Sequence, residues 1–77
     1  MDIVVFTGPG CAYCATAKKM LEDAGHLYVE KSISERRVME EFQRRLPRLK
    51  ALPQIFIDGE HIGNHEDLRV FLTGQKR

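Results

Sequence analysis

The chain is short of sulfur, of long apolar runs and of net charge, and each shortage excludes something. Its uninterrupted apolar stretches, Ile3 to Phe6 among them, fall far below the roughly 20 residues that a membrane-spanning helix needs. A length of 77 residues leaves room for one small core and no second domain, so a single domain over 1–77 is expected. The opening MDIVVFT has an acid at position 2 and passes directly into a β-branched run. That is unlike the basic and apolar leader of a secreted protein, and a cytoplasmic location is expected.

A net charge of +1 argues against binding to a polyanion along the whole surface. Neither nucleic acid nor membrane is an expected partner. The local basic clusters Arg36-Arg37 and Arg44-Arg45 alternate with Glu35, Glu40 and Glu41, the pattern of a solvated helix face. What is present is the composition of a globular protein, 43% hydrophobic and 30% charged, which excludes a disordered chain.

The pattern of apolar residues divides the chain into seven elements. Asp2 to Thr7 reads as a buried strand, ended by the breaker cluster Gly8-Pro9-Gly10. From Ala12 to Ala24 the period becomes helical, with Cys14, Ala17, Leu21 and Ala24 on one stripe and Gly25 placed as a C-cap. Leu27 to Glu30 reads as a second strand. Ser32 and Glu35 have the spacing of a capping box, with Ser34 as a competing cap. The helix they open runs to about Leu46, buries Val38, Met39, Phe42 and Leu46, and stops at Pro47. Gln54 to Ile57 is a third strand, and Asp58-Gly59 turns it back on Glu60 to Ile62 as a hairpin. Asn64, with Asp67 three residues on, caps a third helix that packs Leu68, Phe71 and Leu72 inward. The order is β-α-β-α-β-β-α. Its first βαβ unit should be parallel and right-handed, within a mixed four-stranded sheet covered by helices on both faces.

Against this background the placement of the two cysteines stands out. Cys11 and Cys14 lie at the predicted start of the first helix. A reducing compartment does not sustain structural disulfides, and closing so short a loop constrains the unfolded chain very little. Redox exchange fits the position. A helix N-terminus offers unpaired N–H groups and the positive end of the macrodipole, both of which favour a thiolate. Cys14 shares a helical face with Cys11 and can reach it. Cys11 is then the exposed attacking thiolate and Cys14 the half-buried resolving one. Lys18 and Lys19 lie one to two turns away and point elsewhere. A zinc site of Cys11, Cys14, His61 and His65 is the alternative in metal chemistry, but its central gap far exceeds the roughly 12 residues of a finger. An iron–sulfur cluster needs thiolates from two chains. Two inert core cysteines fit poorly with the Gly-Pro-Gly approach.

The motif Cys11-Ala12-Tyr13-Cys14, followed much later by LPQIFIDGEHIGNHEDL, resembles the glutaredoxins, small proteins of the thioredoxin fold. The similarity runs from Ile3 to about Leu72. It implies a thioredoxin-like α/β fold and a thiol–disulfide oxidoreductase that uses glutathione as co-substrate. Disulfide-containing and glutathionylated proteins, ribonucleotide reductase among them, are the implied partners; a monomer and no metal are expected. By resemblance, Cys11 is the nucleophile that forms a mixed disulfide with glutathione, and Cys14 resolves it. Tyr13 flanks the glutathione groove. Leu52-Pro53 is the loop whose proline is cis, leaving the Leu52 backbone to pair with the cysteinyl part of glutathione like an added strand. Asn64, His65, Glu66 and Asp67 hold the γ-glutamyl end. The helix N–H groups there suit a carboxylate, and Glu66 or Asp67 suits the ammonium.

The chain departs from the family pattern at several of these positions. Gly8 stands where a lysine is usual, with Arg48 or Lys50 as candidates to compensate. Ala12 replaces the proline of Cys-Pro-Tyr-Cys, a change that loosens the turn and is shared with relatives that hold a glutathione-ligated iron–sulfur cluster across a dimer. Ala51-Leu52-Pro53 stands for Thr-Val-Pro, and Asn64-His65 replaces smaller residues in a way that narrows the γ-glutamyl site. The two other functions consistent with these changes are a redoxin reduced by thioredoxin reductase and a cluster carrier. His65 would sit beside the thiols. His26 reads as exposed, Tyr28 as sheet surface, and Phe42, Phe56 and Phe71 as core.

Overall fold

The computed structural model describes residues 1–74. It contains β1 (Ile3–Thr7), α1 (Ala12–Asp23), β2 (Val29–Ser32), α2 (Arg36–Arg45), β3 (Gln54–Ile57), β4 (Glu60–Gly63) and α3 (His65–Gly74). The sheet order is β2-β1-β3-β4. β1 is parallel to β2 and antiparallel to β3, and β3 is antiparallel to β4. This is the expected mixed four-stranded sheet.

Alternation along β1 builds two cores, because successive strand residues face opposite sides. Ile3 and Val5 join Ile55 and Ile57 under Ala17 and Leu21 of α1 and Leu68 of α3. Phe6 and Phe56 join Phe42 of α2, with Val4, Ile33, Val38, Leu46 and Leu52 packed around them. Thus α1 and α3 cover one face and α2 the other. The three phenylalanines meet at ring-centroid separations of 5.4 and 5.8 Å in tilted and edge-on arrangements, the geometries favoured by ring quadrupoles. Phe71 is only half-buried, at the rim of the first core.

The end of α1 explains why β2 lies later than Leu27 to Glu30. Gly25 takes φ +79°. Its N–H bonds the Glu22 carbonyl at 3.0 Å, and the His26 N–H bonds the Leu21 carbonyl at 2.9 Å, a Schellman motif. The chain needs Ala24 to His26 for this turn, so Ala24 is exposed and Leu27 is 91% exposed. Pairing begins at Val29 opposite Val4 and ends at Ser32 opposite Thr7. His26 is half-buried, not exposed. Tyr28 packs its ring at the edge of the first core and donates its hydroxyl to Glu22 at 2.6 Å.

The serine caps predicted for α2 do not form. Ser32 is absorbed into β2, and its Oγ accepts from the Ser34 N–H at 3.3 Å. Glu35 occupies the N-cap with no side-chain bond to the helix. The Asn64 cap does form: Oδ1 accepts from the Glu66 and Asp67 N–H groups at 3.0 and 3.1 Å, and the Asp67 carboxylate accepts from the Asn64 N–H at 3.0 Å. No described helix is long and apolar enough to cross a membrane.

Candidate active site

Cys11 is the N-cap residue of α1, with extended backbone at φ −96° and ψ 104°. Gly10 precedes it at φ +70°, turning the chain out of β1. Cys11 and Cys14 are joined as a disulfide across a Cα separation of 5.3 Å, within the usual range for such a bond. The Cys14 N–H donates to Cys11 Sγ at 3.2 Å, and no acidic residue occupies the first turn. This sulfur therefore meets the positive end of the helix with no carboxylate from the first turn of α1 to oppose it, a setting that favours a thiolate when the bond is open.

Both cysteines lie deeper than expected, with their order kept. Cys14 is only 3% exposed and packs on the sheet side of α1, whereas Cys11 is half-buried at the rim. Neither nearby lysine is directed at the pair. Lys18 bonds Glu30 at 3.1 Å and Lys19 bonds Asp23 at 3.3 Å. Glu30 also accepts from the hydroxyl of buried Thr7 at 2.8 Å, and that bond, followed by Lys18, holds its carboxyl below the usual glutamate value.

Two segments carry the other candidate residues, one against Tyr13 and one against Gly8. Tyr13, 59% exposed, lies flat on the His65 ring at 4.1 Å and 7°, so the start of α3 sits beside the start of α1. His65 Nδ1 is buried and makes no hydrogen bond within the described residues. Its Nε2 lies 3.6 Å from the exposed Glu66 carboxylate. The second segment is the loop before β3, where Leu52-Pro53 is cis. Leu52 follows on from the β1–β3 ladder, opposite Gly8: a Cβ added at Gly8 would lie 2.7 Å from Leu52 Cδ1. The leucine fills the space that a lysine stem would use at that position.

The γ-glutamyl expectation is changed by the cap. The N–H groups of Glu66 and Asp67 are already bonded to Asn64 Oδ1, and the Asp67 carboxylate is bonded to the Asn64 N–H. The four-ligand zinc arrangement is not assembled. His61 turns to Gln54 at 2.8 Å and His65 to Tyr13. Among the described residues no group of three or more His, Cys, Asp or Glu side chains is placed to hold a metal ion. The Thr7–Glu30–Lys18 cluster and the Gln54–His61 bond went unread in the sequence, because their partners are far apart along the chain. Gln54, a polar residue opening the apolar strand QIFI, was the available signal.

The glutaredoxin family model matches residues 3–62, which include the cysteine pair, the loop before β3 and most of the closing hairpin. The chain belongs to the glutaredoxin family. It is 37% identical over 68 residues to a glutaredoxin of Neisseria meningitidis serogroup B, covering 86% of this chain and 79% of that one. It is 36% identical over 72 residues to the hybrid peroxiredoxin hyPrx5 of Haemophilus influenzae, covering 94% of this chain but only 30% of that protein. Among solved structures, a buckwheat glutaredoxin–glutathione complex superposes with a TM-score of 0.80 at 26% identity, over 96% of this chain and 71% of that one. As a glutaredoxin with a cysteine pair, the chain is a thiol–disulfide oxidoreductase.

Proposed function

We propose that this glutaredoxin-family chain reduces protein disulfides and glutathione mixed disulfides, with glutathione as the reductant. The observation that carries the reading is the unequal pair at the α1 N-terminus, Cys11 at the rim and Cys14 buried behind it. The Cys11 thiolate attacks one sulfur of the substrate disulfide. A Cys11–substrate disulfide forms, and the other sulfur leaves as a thiolate. Where the substrate is a protein disulfide, the Cys14 thiolate then attacks Cys11 Sγ, closing the intramolecular bond and freeing the reduced substrate. Where the substrate is glutathionylated, Cys11 takes the glutathionyl group and a second glutathione thiolate removes it as glutathione disulfide. Two glutathiones reopen the Cys11–Cys14 bond by the same exchanges.

The groove for glutathione is the surface between Tyr13, the Leu52-Pro53 loop and the start of α3. The Leu52 N–H and carbonyl make no hydrogen bond among the described residues, so an extended cysteinyl segment has a free backbone edge to pair with. His65 backs Tyr13, and Asn64, Glu66 and Asp67 at the start of α3 are the residues given to the γ-glutamyl end in this reading. The buckwheat glutaredoxin–glutathione complex supports glutathione as the ligand in this reading.

A second reading is favoured by two features of the same groove. Leu52 fills the space beside Gly8, and Asn64 occupies N–H groups that a carboxylate would use. Both weaken glutathione and suit a redoxin reduced by thioredoxin reductase. NADPH consumption with a small mixed disulfide separates the two. Turnover with glutathione and glutathione reductase supports the first reading; turnover with thioredoxin reductase alone replaces it by the second. Under the first, Cys14→Ser keeps the reduction of glutathionylated peptides and loses most protein-disulfide reduction. Equal loss of both activities would overturn the assigned roles.

A further inference from the structure

We propose that Gln54 and His61 are positioning residues that hold the substrate-facing edge at Ala51–Leu52, an inference resting on the role given to that edge above. Gln54 is 4% exposed, the one polar side chain in β3. Both ends of its amide are engaged. Nε2 donates to the Ala51 carbonyl at 3.0 Å, and Oε1 faces His61 Nε2 at 2.8 Å. A carbonyl only accepts, so the amide nitrogen must face Ala51 and the amide oxygen must face His61. His61 Nε2 therefore carries a proton, in the neutral ring and in the imidazolium alike.

The ring is itself held in place. His61 packs on Phe56 at 5.1 Å, and the Arg45 guanidinium lies 4.0 Å over the same Phe56 ring. A bulge between Ile55 and Phe56 shifts the β3–β4 register there, at the level where His61 reaches back to Gln54. The line of contacts thus runs from α2 and β4 through Gln54 to Ala51. Ala51 adjoins Leu52, whose backbone is the open edge and whose side chain packs against Gly8 in the approach to Cys11. Little else ties this loop down. Among the described residues, the other hydrogen bond made by segment 47–53 within the chain is the Leu49 N–H to the Leu46 carbonyl, at 3.2 Å.

The test compares His61→Phe, which keeps the ring and removes the donor, with Gln54→Met, which removes both bonds at similar length. A peptide disulfide is the substrate, with whichever reductant turns the unaltered protein over. Absence of turnover with glutathione overturns the reading above and leaves this comparison to be made with thioredoxin reductase. The expected result is a KM for the peptide raised about fivefold to tenfold in both variants, equivalent to about 1 to 1.4 kcal/mol, with kcat within about twofold. Alkylation of reduced Cys11 by iodoacetamide, a reagent too small to need the edge, should keep its rate. His61→Gln, which restores an N–H donor, should recover much of the KM. A KM unchanged in folded variants, or a KM defect matched by an equal loss of Cys11 alkylation, would overturn the positioning role and leave Gln54 as a core amide only.

Discussion

If the start of α3 receives a glutathione carboxylate as proposed, the Asn64 cap sets the stability of α3 against that affinity, and replacing it tests both. In the present arrangement Oδ1 serves the Glu66 and Asp67 N–H groups at 3.0 and 3.1 Å. A glutathione carboxylate seeking those groups must first displace the amide. Removing an Asn cap in favour of Ala costs about 1 kcal/mol of stability, and in favour of Gly only a few tenths. For a domain of this size, 1 kcal/mol corresponds to a fall of about 4–8 °C in Tm. If the displaced cap bond is worth about 1 kcal/mol, freeing the N–H groups lowers the KM for glutathione about fivefold. Asn64→Ala should thus be less stable yet bind glutathione more tightly, and Asn64→Gly should show the same gain with little loss of Tm. Coupled NADPH turnover against glutathione concentration, with thermal melts by circular dichroism, reads both quantities. A KM that rises, or stays fixed while Tm falls as expected, would show that the start of α3 does not receive the carboxylate.

Further outcomes follow from neighbouring features. Gly63 lies at φ +128°, and a Cβ there would collide with the Asp67 carboxylate; Gly63→Ala should cost several degrees of Tm and disrupt the cap, and a melt like that of the unaltered protein would contradict this packing. Gly8→Lys requires Leu52 to move aside, so Gly8→Lys with Leu52→Val should lower the glutathione KM about twofold to fivefold, the scale of an exposed ion pair, while Gly8→Lys alone gains less; equal effects would mean that Leu52 does not block the site. The carboxyls of Glu30 and Glu41 are held below the ordinary value of 4.5, chiefly by the Thr7 hydroxyl and the Lys31 ammonium respectively. Their stabilisation is complete above that value and is lost as pH falls through the folded values. Thr7→Val should therefore be less stable than the parent at pH about 6 and converge with it in acid, and denaturation curves that stay parallel down the acid limb would exclude the Thr7–Glu30 bond as the cause.

The long-period features of this molecule were legible in the sequence, and the short polar ones were not. Alternation in IVVFT and QIFI, the helical stripe from Cys14 to Leu21 and the Asp58-Gly59 turn all report burial, which the residues themselves carry. The Asn64 cap was readable because its partners lie within one turn. Ser32 and Ser34 misled because a serine suits a cap, a turn and a strand end almost equally, and pairing with Thr7 decided for the strand. Leu27 was lost from β2 because the Schellman turn claims the residues before it. At the site, the position of the cysteines on a helix start could be foreseen. That Asn64 satisfies the N–H groups expected to bind a ligand could not, since a cap and an anion compete for the same donors.

The separation of 5.3 Å between Cys11 and Cys14 lies inside a single helical turn whose inner residue is fixed in the core. Opening or closing the bond therefore asks for a side-chain rotation at the rim and no travel of sheet or helices. Rotamer changes at exposed residues take picoseconds to nanoseconds, whereas lids and hinges need microseconds or longer. A rotation of that kind adds no lid or hinge motion to the exchange. Its speed is left to thiolate chemistry and to how often a partner sulfur arrives at Cys11 in line.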